Sequence, residues 1–128
     1  MPTSNDAHAI VIGIANYQNV NPLPPTVVQD ASDIYHLLID PQVCAYPPNN
    51  VHLLVDEQAT QSGLRSGLAE LAKRTTDDST VLIYLSSHGG QIEQGSNAGE
   101  YLLPVDVVYS SDDSLAQTAI SGREFTEA

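Results

Sequence analysis

Apolar runs separated by short polar stretches set the rhythm of this chain. The first run, HAIVIGIA from His8 to Ala15, is continuous rather than alternating and carries three Ile and one Val. A run this short and β-branched predicts a strand buried on both faces. NYQNVNPLPP, Asn16 to Pro25, has the Asn and Pro content of a loop. From Thr26 the period changes. Val27, Val28, Ala31, Ile34, Tyr35 and Leu38 recur at helical spacing, with Gln29, Asp30, Asp33 and His36 between them, and Pro41 closes the pattern. CAYPPNN predicts a turn and VHLLV, Val51 to Val55, a second strand. Thr60 is placed to cap a helix with Leu64, Leu68 and Leu71 on one stripe and Lys73 and Arg74 in its last turn. Gly63 and Gly67 work against that helix. TVLIYLSS, Thr80 to Ser87, predicts a third strand.

Strand, helix, strand, helix, strand implies right-handed crossovers and a parallel α/β sheet. Sites in such sheets form beyond the carboxyl ends of the strands. After the third strand, GGQIEQGSNAGEYLLPVD is first Gly-rich and polar and then apolar, which predicts a short β excursion or hairpin returning through Tyr101 to Val105. The stretch that follows reads as a Ser/Asp loop, and Gly122 to Ala128 as the first turns of a helix.

A length of 128 residues suits one domain. No repeat, low-complexity tract or linker divides it, so residues 1–8 are expected to form a flexible segment and 9–128 the domain. With 41% hydrophobic residues, no Trp and one Phe, aliphatic side chains must fill the core. Sixteen acids against four Lys and Arg give a net charge of -12. That balance opposes binding to nucleic acid or to anionic membranes and tolerates cationic peptides. A single cysteine, Cys44, excludes an internal disulfide and fits a reducing compartment. Neither a signal-peptide pattern nor an apolar stretch of membrane-spanning length occurs, so the expected location is the cytoplasm.

The chemistry concentrates in VLIYLSSHGGQ, Val81 to Gln91, where a buried strand delivers His88 to its end between two serines and two glycines. Ser87 is a poor nucleophile for that ring, because adjacent strand residues point to opposite faces. Gly89 and Gly90 are expected to leave backbone N–H groups facing a ligand, as an oxyanion site needs. No phosphate-binding glycine motif is present. His8, His36, His52 and His88 are scattered without HxxxH or CxxC spacing, so no metal site is expected from them.

AIVIGIANY, VVQDASDIYHLL, VLIYLSSHGGQ and EYLLPVD stand in the order of the motifs of caspase-like cysteine peptidases. The chain resembles that C14-type family from Ala9 to Ala128, most closely its metacaspase and orthocaspase branch. The resemblance implies a three-layer α/β fold with a mainly parallel sheet flanked by helices, incomplete at its C-terminal side. It implies that His88 is the catalytic histidine and that Gly89 lends its N–H to the oxyanion hole. It also implies cleavage after Arg or Lys, with Asp30 and Ser86 in the substrate pocket, and peptides or proteins bearing those residues as partners. The family's cysteine follows the histidine by about 50 residues, near position ~138. Cys44, in the turn after the first helix, does not match it and reads as a small, half-buried hydrophobe. The implied chain is therefore a catalytic subunit lacking its thiol, with the remainder of its own domain as a further partner. The alternative is a non-catalytic caspase-like signalling module. Gly122 and Arg123 occupy the place of the family's calcium-binding Asp pair, whereas Asp112 and Asp113 stand in the preceding loop and Glu100 and Asp106 remain as oxygen donors. This departure argues against a calcium cofactor.

Overall fold

β1 (Ala7–Gly13) is buried along its whole length, as its unbroken aliphatic sequence requires. It lies between two parallel neighbours, β2 (Val51–Val55) and β3 (Thr80–Ser86), in the order β2-β1-β3. The crossovers are α1 (Thr26–Ile39) and α2 (Gln61–Arg74). The computed structural model describes residues 6–126.

Alternation along β1 serves two layers at once. Ala9 and Val11 pack with Ala31 and Leu38 of α1, whereas Ile10 and Ile12 pack with Leu64, Leu68 and Leu71 of α2. The helices approach the sheet closely because small residues meet there. A Cβ on Gly13 would stand 2.6 Å from the Cβ of Ala31, and one on Gly67 would stand 2.9 Å from Cδ1 of Ile10. Gly67 thus weakens α2 locally and lets it seat on β1. Thr60 caps α2 as expected, its hydroxyl accepting the N–H of Gly63 at 3.1 Å.

A second, antiparallel sheet follows in the order β4-β5-β6, with β4 at Gly89–Ile92, β5 at Gly99–Leu102 and β6 at Ile120–Ser121. It is the expected hairpin with a third strand added. Ile92, Leu102, Leu103 and Val105 carry it into the core on the α2 side.

The structure differs from expectation at several places. β1 begins at Ala7, so Ala7 and His8 are buried strand residues rather than parts of a loose segment; residues 1–5 lie outside the described residues. The presumed Ser/Asp loop contains α3 (Asp112–Thr118). Ser111 and Ser114 cap it reciprocally, so Asp112 and Asp113 form its first turn, where their charges suit the helix dipole, and Leu115 anchors it in the core. α4 (Gly122–Thr126) begins where a helix was expected, and residues 127–128 lie outside the described residues.

β3 is an edge strand of its sheet, and three of its large apolar side chains are open: Val81 at 45%, Leu82 at 38% and Leu85 at 45% exposure. Successive residues face opposite sides, so each face of this edge carries an open apolar side chain beside the half-buried Ile83 and Tyr84. Among the described residues, no helix is long and apolar enough to cross a membrane.

Candidate active site

β1 and β3 stay in register to the pair Gly13 and Ser86, and Ile14 N–H extends the pairing to the Ser86 carbonyl at 3.0 Å. Beyond this point β1 runs into the Asn16–Pro25 loop toward α1, and β3 runs through Ser87 and His88 into the other sheet. His88 therefore lies where two adjacent parallel strands part, the place at which such sheets form sites.

Contacts hold both the ring and the backbone of His88. The imidazole Nε2 lies 2.8 Å from the carbonyl oxygen of Asn21. A carbonyl can only accept, so Nε2 carries the proton and Nδ1 is the nitrogen left for proton exchange. The backbone N–H of His88 donates to the Tyr17 hydroxyl at 2.9 Å, and that hydroxyl donates to the Leu103 carbonyl at 2.7 Å. The His88 carbonyl accepts from Leu103 N–H and from Ser87 Oγ, each at 3.1 Å. The rings of Tyr17 and His88 lie 4.9 Å apart, tilted by 45°. Burial raises the Tyr17 phenol above its ordinary value of 10.0; the hydrogen bonds to the His88 backbone and Ser87 pull it back, and the charge of Asp56 adds to the rise. The phenol thus stays protonated and able to donate.

The two glycines after His88 have different tasks. Leu103 N–H reaches back to the His88 carbonyl, so antiparallel alternation makes Gly90 and Tyr101 a hydrogen-bonded pair and Gly89 and Leu102 a non-bonded one. The Gly89 amide consequently points away from β5, on the open edge of the sheet. Gly90 does not share this freedom, which corrects the expectation that both amides face a ligand. Its lack of a side chain serves packing instead, since a Cβ there would approach Leu103 Cδ1 to 3.1 Å and Leu115 Cδ2 to 3.2 Å.

A cavity of about 220 Å³ opens beside His88 and Gly89, walled by Leu85, Ser87, Glu100 and Tyr101. A larger one, about 580 Å³, lies at the start of α1 and is lined by Pro22, Leu23, Val28, Gln29 and Asp56. Asp56 holds the base of the Asn16–Pro25 loop, its Oδ1 accepting the amides of Ala15 at 2.8 Å and Asn16 at 2.9 Å. Its own backbone has a φ of 45°, in the left-handed region that Asp tolerates better than most residues.

Of the residues anticipated from sequence, His88 and Gly89, consecutive in the chain, both line the smaller cavity. Ser86 ends β3, half-buried. Asp30 is exposed on the second turn of α1, lines neither cavity and shares no hydrogen bond with Ser86. Cys44 is exposed rather than half-buried. It stands in the turn after α1, toward the amino ends of the strands and so at the opposite end of the sheet from His88. Asp106 accepts the Gln61 amide at 3.0 Å, Glu100 is on β5, and Asp112 and Asp113 open α3. Among the described residues, no three metal-binding side chains gather into a cluster. Tyr17, Asn21 and Asp56 were not singled out by sequence. The one available signal was an aromatic residue set in an otherwise polar loop directly after the first strand.

Comparison with protein-family models matches residues 6–127 to the caspase domain. No curated protein matches the chain.

Proposed function

The chain belongs to the caspase-domain family of C14-type peptidases, and from that premise we propose that it supplies the histidine side of a cysteine endopeptidase of the metacaspase and orthocaspase type. The arrangement of His88 carries this reading. Its ring is fixed through Nε2 by Asn21, its Nδ1 is left for proton exchange, and the outward Gly89 amide follows it directly. In the proposed reaction a thiolate attacks the scissile carbonyl and His88 transfers a proton to the leaving nitrogen as the C–N bond breaks. The Gly89 N–H supports the oxyanion, and water then releases the acyl group.

The thiol is assigned to a residue outside this sequence, because Cys44 lies at the wrong end of the sheet. The uncovered edge at β3 offers the remainder of the domain a strand to pair with. Specificity for Arg or Lys is assigned to Asp30 with Ser86, and no residue of this chain is assigned to calcium. A net charge of -12 favours cationic peptides as partners and the cytoplasm is the proposed location.

A fluorogenic peptide series with Arg, Lys or Asp before the scissile bond, offered to the intact protein, tests this reading. Turnover of the Arg and Lys peptides is expected, with a loss of about 10²–10⁴-fold on His88→Ala and an unchanged fold. Undiminished turnover by that variant sinks the assignment. The alternative reading is a non-catalytic caspase-like interaction or signalling module. An intact protein that cleaves none of the peptides and takes up no thiol-directed acyl inhibitor supports it.

A further inference from the structure

We propose that Tyr17 is a positioning residue for His88, its hydroxyl spliced into the β4–β5 ladder so as to set the imidazole and the Gly89 amide together. The role rests on the peptidase reading above. In an uninterrupted hairpin, His88 and Leu103 would exchange both backbone hydrogen bonds directly. Here only one direct bond forms, Leu103 N–H to the His88 carbonyl. The other is relayed through the phenol, which accepts from His88 at 2.9 Å and donates to Leu103 at 2.7 Å. An oxygen inserted between N–H and C=O holds them farther apart than a direct bond would. The ladder is therefore wedged open at the residue that carries the imidazole.

The wedge is rigidly mounted. Tyr17 is 6% exposed. Upstream, Asp56 fixes the amides of Ala15 and Asn16; downstream, Gln18 N–H donates to the Val105 carbonyl at 3.2 Å. The same loop carries Asn21, whose carbonyl holds Nε2, and the Tyr17 ring lies against the imidazole. One segment thus grips His88 at its amide, its ring face and its ring nitrogen. Without the hydroxyl, His88 N–H and Leu103 C=O must either close on each other or remain unpaired. Closing swings the Cα of His88 toward β5 and turns the next amide, that of Gly89, with it. Tyr17 acts through His88, so its effect should appear in the chemical step and not in substrate binding.

Tyr17→Phe in the intact protein keeps the ring and removes the wedge. The expected result is a kcat lowered by roughly tenfold to a hundredfold with KM nearly unchanged. Tyr17→Leu, which also loses the ring contact, should be slower still. An unchanged kcat in Tyr17→Phe overturns the proposal. The exchange rates in the unmodified protein decide the matter separately, should the variant fold poorly. The His88 amide must be protected and the Gly89 amide not, and a freely exchanging His88 amide overturns the proposal. An intact protein that exchanges in this pattern yet cleaves no Arg or Lys peptide refutes the peptidase reading and, with it, the catalytic use of the wedge. The wedge geometry itself would stand.

Discussion

The imidazole of His88 donates through Nε2 to the carbonyl oxygen of Asn21 at 2.8 Å, across 67 positions of sequence. The ring is thereby oriented by a loop, and the loop is only as fixed as its own anchor. That anchor is Asp56, whose carboxylate takes the two amides at the loop's base.

Removing the anchor should therefore act at a distance. Asp56→Ala leaves the amides of Ala15 and Asn16 without their acceptor, and hydrogen bonds to a charged group contribute roughly 1.5–3 kcal/mol each. Asn16 is exposed and regains water, so a loss of about 1–3 kcal/mol in all is expected. Asp56→Asn keeps an acceptor oxygen and tolerates the backbone at φ 45°, so it should lose much less. Urea denaturation of the three proteins measures this. Equal midpoints for Asp56→Ala and the unmodified chain would show that the two bonds hold nothing.

The seat of α1 on β1 gives a second prediction. Gly13→Ala places a methyl 2.6 Å from the Cβ of Ala31 and 3.2 Å from the Val27 carbonyl. Backbone cannot yield as a flexible side chain can, so α1 must shift outward, at a cost of about 1–3 kcal/mol. Thermal melts should show a lower Tm for Gly13→Ala. The double variant Gly13→Ala with Ala31→Gly, which restores the space, should recover part of the packing cost. No recovery in the double variant would mean that overpacking is not the cause.

The first five elements were legible because their periods differ. The short β-branched run at Ile10 to Ile14 reads as a strand buried on both faces, and Leu64, Leu68 and Leu71 recur at the spacing of one helix stripe. α3 was not legible. Its sequence DDSLAQT has a single buried anchor, Leu115, and the Ser111 cap that starts it looks the same in sequence as a turn serine. The site divides in the same way. His88 and Gly89 announce themselves as a local motif at a strand end. The Tyr17 hydroxyl finds its partner 71 positions away and Asp56 finds its own 41 away, and neither has any local pattern that fixes such a pairing.

Alkaline stability should report on the buried phenol. Its folded pKa is raised above 10.0, chiefly by burial, whereas the unfolded chain ionises at the ordinary value. Below pH 10 both states hold the proton and its contribution is complete. As the pH rises through 10, the unfolded state releases its proton first, so stability falls. Tyr17→Phe lacks this term. The stability difference between the unmodified protein and Tyr17→Phe, measured in urea from pH 8 to 11, should stay level to about pH 10 and then narrow. A difference that stays level throughout would place the phenol in solvent.

Asp30 is the residue proposed to set specificity, and its place on α1 shapes the test. It stands exposed on the second turn of α1, beyond the first turn where its charge would serve the helix dipole best. The neighbouring cavity at the start of α1 already holds another carboxylate, Asp56, occupied by two amides. If Asp30 receives the guanidinium or ammonium of the substrate, Asp30→Ala strands that charge in the complex. The loss of transition-state binding, read from kcat/KM, should be roughly 2–5 kcal/mol for Arg and Lys peptides. Stability should hardly change, since an exposed helix acid without a partner contributes little. Asp33, one turn further on and tied to Gln29 at 2.9 Å, serves as the comparison, and Asp33→Ala should leave the kinetics close to normal. Equal loss from the two variants would point to the general acidity of α1. An Asp30→Ala protein that cleaves Arg peptides as well as the unmodified one would remove Asp30 from the pocket, and Asp56→Asn would then be the next variant to measure.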